Sequence, residues 1–198
     1  MPYRLFFTSI LLAGIAAASP LSITFSGTGS GSVGSQAFNS AAFTFTFTSD
    51  TSVVVVPTCC ATDFSTPAGT PATFSIAGIG SGTLTGDQAV FANPNPAELT
   101  VGMWHFEMPD VLDLSRRAFM NYDLSTNMGS IFVDAPFAFS NGFSTSLGDL
   151  ILDSATNVTY TAVVDATEVP EPSSLALFIS GLAACVAVYF IRGATGMR

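Results

Sequence analysis

The chain has 198 residues, a net charge of −9 and no lysine, and it is rich in Thr, Ser, Gly, Ala and Phe. Scarce Lys, Glu and Gln leave few helix formers for exposed faces, so this composition excludes an ordinary soluble helical protein and points to pleated, half-buried strands. From Pro20 to Glu168 thirteen acids stand against two arginines, a net charge of −11 that repels phosphate backbones and excludes nucleic acid as the expected partner.

In chain order, Arg4, the apolar run Leu5 to Ala17 and the small residues Ala16-Ala17-Ala18 read as a secretory signal peptide over residues 1–18, with cleavage expected after Ala18. An uncleaved anchor is the alternative, disfavoured because the run is short against the roughly 20 residues of a membrane span. Residues 19–167 then form the expected body, long enough to bury a core without the help of disulfides.

Within the body, short segments of period-two alternation are separated by Gly, Pro, Asn, Asp and Ser, the pattern of antiparallel β structure. Phe43-Thr44-Phe45-Thr46-Phe47-Thr48 is the clearest, with phenylalanines on one face and threonines on the other. Further strands are predicted over Leu21–Ser26, Ser52–Val56, Ala72–Ile79, Gln88–Phe91, Leu99–Glu107, Ala118–Leu124, Ser130–Val133 and Val158–Val164. For Ser115–Tyr122 a helical turn is the alternative, because Leu114, Ala118 and Tyr122 recur at intervals of four. The expected fold is all-β, an antiparallel β-sandwich of jelly-roll or immunoglobulin-like type rather than a barrel, followed by one C-terminal transmembrane helix.

Gly29-Ser30-Gly31-Ser32-Val33-Gly34 has the glycine spacing of a dinucleotide-binding turn, but no helix-like run follows it. Gly-Ser alternation predicts a flexible connection there. His105 is the only histidine, so neither a two-histidine zinc motif nor an acyl-transfer triad can be assembled from spacing. Strand alternation places His105 with Val101, Met103 and Glu107 on one face and Trp104 with Phe106 on the other.

Glu98, Glu107, Asp110 and Asp113 are the candidates for a glycosidase acid and base, and those acids or Asp149 and Asp153 for calcium; solvating surface charge is the preferred reading of all of them. No catalytic residue, metal site or cofactor is therefore expected. Cys59 and Cys60 are adjacent, and in an oxidising compartment they can bond each other in a strained ring, bridge two chains or stay reduced, the first being preferred. Trp104 and Tyr122 are the candidate platforms for stacking a sugar ring.

Residues 168–198 differ from the body. Val169-Pro170-Glu171-Pro172 brackets a glutamate with prolines, which stop a helix and hold the backbone extended for another enzyme to grip. Leu175–Ile191 carries no charge and reaches about 25 Å as a helix, enough to cross a membrane. Arg192 and Arg198 follow it, so the positive-inside rule puts the last residues in the cytoplasm and the body outside. This arrangement of motif, apolar segment and basic end resembles the PEP-CTERM sorting signals. The resemblance, over Val169 to Arg198, implies recognition by a membrane-embedded exosortase, cleavage near Pro-Glu-Pro, and delivery to the surface or extracellular matrix of a Gram-negative bacterium that makes exopolysaccharide. The expected role is thus a non-enzymatic surface or biofilm-matrix protein. A carbohydrate-binding module for exopolysaccharide is the alternative, and a secreted glycosidase stands third.

Overall fold

Strict alternation builds the longest strands of the body. In the computed structural model, which describes residues 19–58, 60–105 and 110–165, β1 (Pro20–Val33) and β2 (Gln36–Asp50) form a long hairpin, and β12 (Gly148–Val164) pairs with the other side of β1. Leu21, Ile23 and Phe25 of β1 and Phe43, Phe45 and Phe47 of β2 turn inward, while the threonines between them face outward, as the sequence pattern requires. The remaining strands are β3 (Phe64–Ser65), β4 (Ala72–Ile76), β5 (Gly80–Thr83), β6 (Gln88–Asn93), β7 (Thr100–His105), β8 (Asp110–Ser115), β9 (Met128–Val133), β10 (Phe137–Ala138) and β11 (Gly142–Thr145).

All pairings between these strands are antiparallel, and they make two sheets. The larger has the order β11-β12-β1-β2-β4-β5, with β9 also joined to β12, and the smaller runs β10-β8-β7-β6-β3. The fold is therefore all-β. Inward residues of both sheets, among them Phe25, Phe45, Val90, Met103, Leu112 and Tyr160, belong to one hydrophobic core. Phe25, Phe119 and Tyr122 all pack edge-on against the Tyr160 ring, at centroid distances of 5.2, 5.6 and 6.0 Å.

β12 is long enough to take two partners on its outer side in succession: β11 along Gly148–Ile151 and β9 along Val158–Ala162. On the β11 side the two edges of the large sheet meet, since Leu84 bridges Thr145 and the amide of Ser146 donates to the Thr83 carbonyl at 3.0 Å. The sheet is curled at this end far enough to satisfy edge groups that would otherwise invite foreign strands.

This curl explains the Gly-Ser run. Contrary to the predicted flexible connection, Gly27 to Val33 continues β1, with Gly27, Gly29 and Gly31 on the same inward face as Phe25. A Cβ at Gly29 would lie 2.7 Å from the Ser154 carbonyl oxygen and 3.1 Å from the Phe43 ring, and one at Gly31 would collide with the Ile151 carbonyl. The register also shifts at Ser26/Thr28 and Ser30/Gly31, bulges that sharpen the bend. Here glycine lets β12 and the phenylalanines of β2 approach the β1 backbone.

Two predicted strands are also corrected. Over Ser52–Val56 the chain makes a short 3-10 turn, Thr51–Val53, capped by Asp50 Oδ1 on the Ser52 amide at 2.8 Å. Four successive valines have no polar alternation, and Val53, Val55 and Val56 stay exposed. Over Ala118–Leu124 the chain follows the alternative of a turn, with a 3-10 segment at Arg117–Phe119. It drops Phe119, Tyr122 and Leu124 into the core, the first two at an interval of three that a regular strand would split between its faces. Among the described residues no helix is long and apolar enough to cross a membrane, and the predicted span 175–191 lies outside them.

Candidate functional site

The smaller sheet is covered on both faces. Val90, Ala92, Val101, Met103, Leu112 and Leu114 look into the core, so alternation sends Phe91, Asn93, Thr100, Gly102 and Trp104 to the opposite side. Residues 54–58 and 60–63 cross that side, held by the reciprocal Val55–Ser65 backbone bonds of 2.9 and 2.8 Å and by the turn in which the Asp63 amide donates to the Cys60 carbonyl. Between sheet and segment lies a cleft of about 270 Å³, with walls from Phe91, Trp104 and Pro57 and four carboxyl groups, Asp63, Glu98, Asp110 and Asp113.

Each acid reaches the cleft for a local reason. Asp110 and Asp113 are three apart and would fall on opposite faces of a regular strand. A bulge on β8 breaks the pairing with β7, so that Gly102 faces Asp113 while Trp104 faces Asp110, and Val111 takes up the extra position in the core. Gly102 leaves the floor open: a Cβ there would meet the Asp113 carboxyl and would lie 2.6 Å from the Phe91 ring. Glu98 is set by the Asn93–Leu99 turn, in which the Asn95 amide donates to Asn93 Oδ1 at 3.0 Å, the Ala97 amide to Asn95 Oδ1 at 3.1 Å, and Asn93 Nδ2 to Glu98 Oε2.

The electrostatics follow from burial. Asp113 is pushed up to about 8, first because burial disfavours its charge, then because Asp110 lies beside it and shares a hydrogen bond with it. Asp110 is also raised by burial, with the Asp113 hydrogen bond pulling the other way, so the two carboxyls hold a proton between them. Asp63 is raised mainly by burial, with Glu98 and Asp110 adding repulsion against the bond from Thr62 Oγ1. Oδ1 of Asp113 is buried without a hydrogen-bond partner among the described residues. No basic side chain lines the cleft among those residues.

The structure thus brings together Trp104, Cys60, Glu98, Asp110 and Asp113 of the residues singled out by sequence. It separates Tyr122 from them. That ring is buried in the core, its hydroxyl accepting from Tyr160 Oη at 3.0 Å, and it offers no face to a sugar. Its hydroxyl is pushed up to about 12, chiefly by burial. Val101 and Met103 are buried on the core side of β7, as the alternation predicted, and His105 pairs with Gln88 in the β6–β7 register. Asp149 and Asp153 lie on β12, away from the cleft lining, with Asp149 Oδ1 accepting from Ser144 Oγ at 3.2 Å. Among the described residues no group of three His, Cys, Asp or Glu is placed to hold a metal ion.

Glu107, Cys59, the motif Val169, Pro170, Glu171 and Pro172, and the flanking Arg192 and Arg198 lie outside the described residues. Sequence reasoning missed Asp63, Phe91 and Asn93. Asn93-Pro94-Asn95-Pro96 is a legible turn signal, but only the fold shows that this turn and residues 54–58 and 60–63 close over the same sheet face.

No protein-family model, no curated protein and no solved structure matches this chain.

Proposed function

We propose that the chain is an exported, non-enzymatic bacterial surface or matrix protein, carried out by the signal peptide at residues 1–18 and handed to an exosortase-type enzyme through Val169-Pro170-Glu171-Pro172. The observation that carries this reading is the order of features along the chain: an acidic body, the proline-bracketed glutamate, the uncharged Leu175–Ile191 and then Arg192 and Arg198. The last described strand ends at Val164, and the motif begins five positions further along the chain. The body itself reads as a β-sandwich of jelly-roll or immunoglobulin-like type, because two antiparallel sheets share one core, with one end of the larger sheet curled toward a barrel. Leu175–Ile191 reads as the transmembrane helix of the unprocessed form. In a producing cell, replacing Pro170 and Glu171 by alanine is expected to trap the full-length chain in the inner-membrane fraction. An unchanged distribution between membrane and medium would contradict the reading.

A second reading is favoured by one observation. Trp104 lies in a cleft beside Asn93, Glu98 and Asp110, and an aromatic face among hydrogen-bonding groups is the usual means of holding a sugar. We therefore add a carbohydrate-binding role toward exopolysaccharide. A glycosidase is less well supported, since Asp110 and Asp113 share a hydrogen bond, whereas a glycosidic acid and base stand about 5 to 10 Å apart.

A further inference from the structure

We propose that the cleft over the smaller sheet binds a primary ammonium group carried on a sugar, as in a polysaccharide residue whose amine is not acylated. This inference rests on the carbohydrate reading and adds the sign of charge that the cleft selects.

The walls come first. A volume of about 270 Å³ lies just below the common range of about 300–1,000 Å³ for small-molecule sites and suits one ring-sized group. Phe91, Trp104 and Pro57 supply apolar surface for the ring, and Asn93 and Thr100 supply amide and hydroxyl groups. The charge is one-sided. Asp63 comes from the covering segment, Glu98 from the β6–β7 turn, and Asp110 and Asp113 from β8, so acids from three separate stretches converge with no Lys, Arg or His among the lining residues. A carboxylated or sulfated sugar would be repelled there, whereas an ammonium group meets carboxylates and an aromatic face together.

The donor count also fits. An alkylammonium has three N–H donors and no acceptor. Asp113 offers a buried oxygen that lacks a partner among the described residues, and Asp110 lies directly beside it. Hydrogen bonds between ionised partners are the stronger kind, and here they would replace the proton that the two aspartates otherwise share.

Trp104 is the only tryptophan in the chain, so its fluorescence reports on the cleft without labelling. The full chain, solubilised in detergent, is titrated with glucosamine, N-acetylglucosamine, glucuronate, ethylamine and calcium. A saturable change is expected with glucosamine, about tenfold or more weaker with N-acetylglucosamine and with ethylamine, and absent with glucuronate and calcium. Asp113→Asn and Glu98→Gln should each weaken the glucosamine response several-fold. Equal affinity for glucosamine and N-acetylglucosamine would overturn the selection for charge while leaving the carbohydrate reading standing. Ethylamine or calcium acting as strongly as glucosamine would overturn the sugar part, and no response to any sugar would remove both readings. Because the ligand series is run on the unaltered protein, its outcome does not depend on any variant folding.

Discussion

The two sheets spend their polar residues in opposite ways. In the larger sheet the hydroxyls of Thr44, Thr46 and Thr48 point outward from a strand whose other face is Phe43, Phe45 and Phe47, so polarity and solvent coincide. In the smaller sheet β6 is buried along its whole length, and the acids on β8, across β7 from it, are drawn under a covering segment, where burial raises both Asp110 and Asp113. Polar groups that help a fold are hydrogen-bonded, as Thr66 is, its hydroxyl accepting from the Val90 amide at 3.0 Å. Asp113, with an oxygen left over, adds nothing to folding that a neutral side chain would not, and groups of that kind gather at functional sites.

The contrast can be broken from the side of the larger sheet. Phe45→Ala empties a fully buried site in the shared core and should lower stability by about 3–5 kcal/mol in urea denaturation, whereas Thr46→Ala on the outer face should stay within about 0.5 kcal/mol. Gly31→Val forces a branched side chain against the Ile151 carbonyl and the Phe38 ring, and a loss of about 1–3 kcal/mol is expected. A neutral result would mean that the Gly-Ser run is the loose connection its composition suggests.

From the side of the smaller sheet the effects are smaller and depend on pH. Folded Asp113 keeps its proton up to about pH 8, while in the unfolded chain it releases it near its ordinary value of 3.8. The folded state therefore binds the extra proton between these limits. The resulting stabilisation is complete below pH 3.8 and disappears as pH rises through about 8. Asp110, Asp63, Glu98 and Cys60 line the same cleft, and the two β8 acids titrate together. Asp113→Asn should flatten the decline of the thermal midpoint between pH 5 and pH 8. An identical decline in the variant would place the titrating group elsewhere. Tyr122→Phe removes the buried bond to Tyr160 and should cost about 0.5–1.5 kcal/mol by the same melting assay, with no change in the Trp104 response to glucosamine.

The larger sheet is legible in the sequence because alternation is local information: Phe43 to Thr48 states its own inward face. Its glycines mislead because their purpose is set by a strand more than a hundred positions away, where Ile151 and Ser154 approach β1. The smaller sheet is half legible. Gln88–Phe91 and Leu99–Glu107 announce themselves as strands, but β8 does not, since Asp110-Val111-Leu112-Asp113 alternates only after a bulge is allowed. Glu98, Asp110, Asp113 and Trp104 can be named from sequence as acids and an aromatic near one another, while Asp63 and the convergence into one cleft depend on a segment folding back over the sheet. Tyr122 misleads because a strand over Ala118–Leu124 would present its ring on a sheet face, whereas the turn that forms there inserts it into the core.

The most direct test of the proposed role is the intact mass of the chain recovered from the outside of producing cells. A species beginning after Ala18 and ending at or near Glu171 is expected, with the apolar segment and Arg198 removed. A recovered chain that still carries Arg198 would contradict sorting and release, and would make this a membrane-anchored β protein instead.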